Sequence, residues 1–181
     1  HPLLLDELLD PRLYDIATDW AGFRELLRRT LADHAGDTER EMDILRELHH
    51  GQIFRLLAQD LAGLQTIEKL SDHLTELADT IVQETLPLVW TKIKNRHRDT
   101  PRFAVIGYGK MGGKELGYAS DLDLVYLYDD DDQDAPENYT RLGQRLNTWL
   151  SSQTQAGILF ETDLRLRPNG DAGLLAVSVE A

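Results

Sequence analysis

There is no cysteine among the 181 residues. That absence excludes a disulfide framework and any zinc site built on thiolates. Long hydrophobic runs are also missing. No stretch approaches the about 20 consecutive apolar residues that a membrane-spanning helix needs, and no signal peptide is visible, so no membrane association is expected. Positive charge is scarce: 19 Lys and Arg stand against 32 Asp and Glu, a formal net charge of −13. Residues 1–100 hold 12 basic and 19 acidic side chains and the remainder 7 and 13, so both parts of the chain share the deficit. Affinity for nucleic acid rests largely on Lys and Arg neutralising phosphates, so no nucleic-acid partner is expected either. These absences together suggest a cytoplasmic protein. The chain opens on His1 and stops at "VSVEA" as a new segment begins, which reads as a fragment of something longer.

What is present divides in two. The first hundred residues carry helical periodicity. "DWAGFRELLRRTLAD" sets Phe23, Leu26, Leu27 and Leu31 on one stripe behind a candidate N-cap, Asp19. "DTEREMDILRELHHGQIFRLLAQDLAG" has Thr38 and Glu41 at capping-box spacing, then Leu45, Leu48, Leu56 and Leu57, with Gly63 as the stop. "SDHLTELADTIVQETLPLVWTKIKNRH" starts at a Ser cap and repeats Leu74, Leu77, Ala78 and Ile81. Pro87 inside it predicts a kink or a break. The six histidines are scattered, and His49, His50 and His73 read as surface or packing residues.

From "RDTPR" onward the pattern changes. "RFAVIGY" reads as a buried strand. "DLDLVYLYD" reads as a second strand, with Leu122, Leu124 and Tyr126 on one face and Asp121, Asp123 and Val125 on the other. "PENYTRLGQRLNTWLSSQT" is helical, with Pro136 suited to the first turn. "ILFETDLRLRP" reads as a third strand and "GLLAVS" as a fourth. The acidic run Asp129 to Asp134 reads as a solvated loop, since it lacks EF-hand spacing and the loop glycine of a calcium site. The expected fold class is α+β: a helical domain over residues 1–98, then a mixed-sheet domain over 99–181.

"GYGKMG", Gly107 to Gly112, has the outline of a dinucleotide-binding turn. That turn needs a full crossover helix and a parallel return strand, with an acidic residue near 20 positions on. Here the next strand begins nine residues after Gly112, and Gly117 interrupts the gap. The helix does not fit, so the match reads as accidental. The aspartates offer another chemistry. Asp121 and Asp123 stand at i and i+2, so on a strand both carboxylates share a face. Like charges about 4 Å apart repel by about 4 kcal/mol at an effective dielectric of 20. A divalent cation offsets this best, and oxygen-only ligands suit Mg2+ or Mn2+. The bland alternative is an exposed pair fanning into water. Against it, Gly112-Gly113 lies just upstream, where bare amides can approach a phosphate, and "FETDLRLRPNG" alternates Glu161, Asp163, Arg165 and Arg167 along one strand face. A third carboxylate beside guanidinium clamps suits a triphosphate. The chemistry such a site supports is metal-assisted nucleotidyl transfer.

"Gly-Gly, spacer, Ser-Asp-x-Asp, then a later strand carboxylate" resembles the DNA polymerase β-like nucleotidyltransferase superfamily. The longer strings "GYGKMGGKELGYASDLDLVYLYD" and "GILFETDLRLRPNGDAGLL", with "HPLLLDELLD" and "DLAGLQTIEKLSDHLTELAD", narrow it. Together they resemble the glutamine synthetase adenylyltransferase family. That resemblance implies large bacterial enzymes with two nucleotidyltransferase domains separated by helical regions. One half moves AMP from ATP to a tyrosine of glutamine synthetase, and the other removes it by phosphorolysis. Nitrogen status acts on such enzymes through glutamine and the PII signal protein. By motif position it implies Asp121, Asp123 and Asp163 as catalytic metal ligands for Mg2+ or Mn2+. Gly112, Gly113 and Ser120 would lie along the ATP phosphates, with Lys110, Arg165 and Arg167 as further phosphate contacts. The superfamily often has Ser where Gly113 stands, so a hydroxyl contact is lost here. "GYGK", "ELGYASDLDL" and "LSDHL" resemble the adenylylating half, usually C-terminal. A regulatory module without catalysis and an antibiotic-modifying nucleotidyltransferase are the competing readings. The intact carboxylates argue against the first, and the long helical region against the second.

Overall fold

The computed structural model describes residues 8–15, 17–165 and 175–179. It has the α+β character expected, helices first and then a mixed sheet. Among the described residues no helix is long and apolar enough to cross a membrane. The chain forms two compact units. One gathers residues 1–81 with 114–119 and 153–159; the other gathers 82–113, 120–152 and 160–181.

In the first unit, α1 (Trp20–Asp33) starts where expected, the Asp19 carboxylate accepting from the Gly22 amide at 2.8 Å. Phe23, Leu27 and Leu31 are buried, whereas Leu26 lies at the margin of the stripe and is 39% exposed. α2 (Thr38–Leu61) is capped one residue earlier than its spacing suggested. Asp37, not Thr38, accepts from the Arg40 amide, and Glu41 reaches back to the Gly36 amide at 3.0 Å. The first satisfies a donor that the first turn leaves open, and the second ties down the residue ahead of the cap. α3 (Ile67–Thr91), whose residues from Val82 onward belong to the second unit, begins four residues before Ser71, with the Thr66 side chain accepting from the Lys69 amide. It runs through Pro87 without a break. Gln83 and Pro87 are both exposed, so water can satisfy the carbonyl that proline deprives of a donor.

In the second unit the middle strand is β2 (Leu122–Tyr128). β1 (Phe103–Gly107) pairs with it antiparallel, from Phe103 opposite Tyr128 to Gly107 opposite Leu124. Along its other edge β3 (Thr162–Asp163) and β4 (Ala176–Ser178) both pair parallel, β3 at its start and β4 at its end. Between β1 and β2 stands a single helical turn, α4 (Gly109–Gly112). A four-residue turn and an antiparallel return strand are incompatible with a dinucleotide-binding unit. β1 is not the buried strand expected: Ala104 and Ile106 are exposed, because among the described residues β1 pairs only with β2 and lies at an edge. α5 (Ala135–Ser151) has proline in its first turn and buries Tyr139, Leu142, Leu146 and Leu150. Leu122, Leu124 and Tyr126, on one face of β2, are fully buried with them. The Tyr139 ring stacks on Trp90, with centroids 5.5 Å apart, and meets Tyr128 at 5.0 Å. That apolar packing fixes which way β2 faces, and so turns Asp123 to the other side.

The acidic run corrects the expectation of a wholly solvated loop. The Asp130 side chain is fully buried. It accepts from Tyr139 Oη at 2.6 Å, His97 Nε2 at 2.9 Å, Arg98 Nη2 at 2.8 Å and the Asp132 amide at 3.2 Å. Burial pushes its carboxyl up, but these donors more than offset that and hold it at about 2.

Candidate metal centre

β1 ends at Gly107, and the Tyr108 amide donates to the Asp123 carbonyl at 2.9 Å. The turn α4 follows at once and packs on β2. On the far side of β2 the Leu122 amide donates to the Glu161 carbonyl at 2.8 Å, which sets the parallel register Leu122 with Thr162 and Asp123 with Asp163. The Thr162 hydroxyl, hydrogen-bonded to Asn147 Oδ1 at 2.6 Å, ties β3 to α5. Residues in register on neighbouring strands point to the same face and lie about 5 Å apart. Asp121 lies two residues before Asp123, just ahead of β2 rather than in it as the sequence suggested. One oxygen from each of Asp121, Asp123 and Asp163 falls within 4.8 Å of the others.

The third strand is far shorter than its alternating pattern suggests. It covers only Thr162 and Asp163, and Arg165 is in a turn. The Asp163 carboxylate explains the stop: its Oδ1 accepts from the Arg165 amide two residues on, at 2.8 Å, a side-chain bond that offers the backbone an alternative to the sheet ladder. Glu161, Asp163 and Arg165 thus do not line one strand face. Arg165 instead folds back onto Asp163, with Nε 3.0 and 2.8 Å from its two oxygens and Nη2 on Oδ2. This guanidinium and the amide hold the Asp163 carboxyl down at about 2.

The donor set fits a hard divalent cation. It consists of carboxylate oxygens alone, at a spacing that one ion can bridge. A second observation comes from the backbone. Gly109 has φ +53°, and a Cβ there would lie 2.2 Å from Asp123 Oδ2. Only glycine leaves room for that carboxylate against the turn. Sequence reasoning missed Gly109; the signal was the second glycine of "GYG", set aside with the dinucleotide match.

Lys110, Gly112 and Gly113 sit on or directly after α4, and all three are exposed. The Gly112 and Gly113 amides are engaged in the turn, donating to the Tyr108 carbonyl at 3.1 Å and the Gly109 carbonyl at 2.9 Å. What Gly112 offers is compactness, since a Cβ would press within 2.7 Å of the Gly107 carbonyl oxygen. Ser120 is half-buried immediately before Asp121. Arg167 lies outside the described residues.

One family model matches the chain over residues 1–181, that of glutamate-ammonia ligase adenylyltransferase. The chain belongs to this family. Relatives described as bifunctional glutamine synthetase adenylyltransferase/adenylyl-removing enzymes match all of it. One from Aromatoleum aromaticum is 65% identical, one from Neisseria meningitidis serogroup B 59%, and one from Ralstonia nicotianae 55%. The match covers 19%, 20% and 19% of those proteins, so the chain spans about a fifth of the adenylyltransferase relatives it resembles.

Proposed function

We propose that this chain carries a centre at which AMP passes from ATP to a tyrosine of glutamine synthetase, so regulating nitrogen assimilation. The observation that carries the reading is the convergence of Asp121, Asp123 and Asp163, with Gly109 clearing space for Asp123. These three residues hold Mg2+ or Mn2+. When bound, the cation supplies charge neutralisation at the triphosphate and acidifies the attacking hydroxyl. Gly112, Gly113 and Ser120 line the phosphates, and Lys110, Arg165 and Arg167 supply positive charge to them. The register of β2 with β3 sets Asp123 beside Asp163 before substrate arrives. Asp163 completes the ligand set.

In the same reading residues 1–98 form the helical region and 99–181 the transfer region, within the cytoplasm. The PII signal protein is a regulator of the whole enzyme. We assign the chain to the adenylylating half, on its "ELGYASDLDL" and "LSDHL" strings. The test supplies unmodified glutamine synthetase and Mg·ATP to the protein at its full natural length. Tyrosine-linked AMP should appear and should be lost in Asp123→Asn. If this centre instead releases only ADP from modified synthetase and phosphate, it belongs to the removing half. If Asp123→Asn changes neither reaction, the centre is misplaced.

A further inference from the structure

An ionised carboxylate has about four lone-pair positions on its two oxygens. On Asp163 both oxygens are already engaged, by three N–H groups of Arg165. Oδ1 accepts from the Arg165 amide at 2.8 Å and from Arg165 Nε at 3.0 Å; Oδ2 accepts from the same Nε at 2.8 Å and from Nη2. A cation that bonds to either oxygen competes with these donors for it. The two partners differ in freedom. The Asp163 side chain is 15% exposed and its backbone is paired in register with Asp123, while the Arg165 side chain is 78% exposed. The guanidinium is the part that can move.

We propose that Arg165 is a positioning residue that latches Asp163 and competes with the cation for it. The third ligand becomes fully available as the latch opens, and the guanidinium then turns to an anionic phosphate held at the same centre. This rests on the metal-centre reading above and adds an order of events to it: Arg165 leaves the carboxylate as the cation arrives.

The latch makes a prediction opposite to that of a residue that simply orients a ligand. Removing Arg165 should tighten metal binding. Mn2+ binding without nucleotide, followed by the loss of the free-ion electron paramagnetic resonance signal, reads this directly in the protein at full natural length. Arg165→Gln should bind Mn2+ about two- to fivefold more tightly than the parent, the size that releasing one solvent-exposed ion pair supplies. Arg165→Lys keeps the charge but loses the planar fork, so it should also bind more tightly than the parent. Equal or weaker binding by Arg165→Gln overturns the latch. Tightening by Gln with Lys equal to Arg also overturns it, because plain charge repulsion then accounts for the effect. Asp123→Asn separates the underlying reading: if the parent binds Mn2+ no better than this variant, the metal centre itself fails, whatever Arg165 does. Melting temperatures of all the variants should stay near that of the parent, since Arg165 is on the surface.

Discussion

At the scale of single residues, Asp123 shows how narrow the tolerance is. Its carbonyl accepts from Tyr108, its backbone is in register with Asp163, and its carboxylate fits against Gly109 only because no Cβ intervenes. Gly109→Ala should therefore move the carboxylate. A φ of +53° costs a non-glycine residue about 1–2 kcal/mol, so the melting temperature should fall by a few degrees. Mn2+ binding should weaken at least tenfold; a variant that binds as the parent does would show that the contact is irrelevant to the site. Asp123→Asn should behave differently. It removes one of three clustered negative charges, so stability should hold or rise slightly while metal-dependent transfer disappears. A large drop in melting temperature would mark Asp123 as a structural residue instead.

At the scale of elements, the buried carboxylate of Asp130 joins three pieces of the second unit: the end of β2, the start of α5 through Tyr139, and the stretch at His97 and Arg98. Losing it strands buried donors, so Asp130→Ala should cost about 3–5 kcal/mol. The same network sets a pH dependence. Its folded value, about 2, lies below the ordinary carboxylate value of 3.8. The stabilisation is thus complete above about pH 4 and is lost as pH falls toward 2, where protonation of the folded state catches up. Acid denaturation of the parent should steepen over that window, and Asp130→Asn should flatten it. Matching acid profiles would show that another group sets the acid limit.

For the whole molecule, a net charge of −13 means that an anionic ligand is repelled unless a cation travels with it. ATP should therefore raise the melting temperature with Mg2+ present and hardly at all with EDTA. A ligand at a hundred times its dissociation constant stabilises by about 2.7 kcal/mol, which a thermal-shift assay resolves readily. NAD(H) should leave the melting temperature unchanged; a shift with NAD(H) and none with Mg·ATP would revive the dinucleotide reading of "GYGKMG".

The helical stretches, the strand that carries Asp123 and the i, i+2 spacing of Asp121 and Asp123 were legible in the chain, because period and spacing are local properties. The stripe through Phe23, Leu27 and Leu31 follows from helical geometry. Burial and pairing are not local, and there only the tertiary structure decided. Nothing in "DDDDQD" marks Asp130 as the buried member, since its donors come from residues 97, 98 and 139. Nothing in "ETDLRLR" shows that the strand ends at Asp163 and that Arg165 folds back, because that outcome depends on a side-chain bond competing with the sheet. The meeting of Asp163 with a pair 40 residues earlier was set by one parallel register, a pairing between segments distant in sequence that no local pattern encodes.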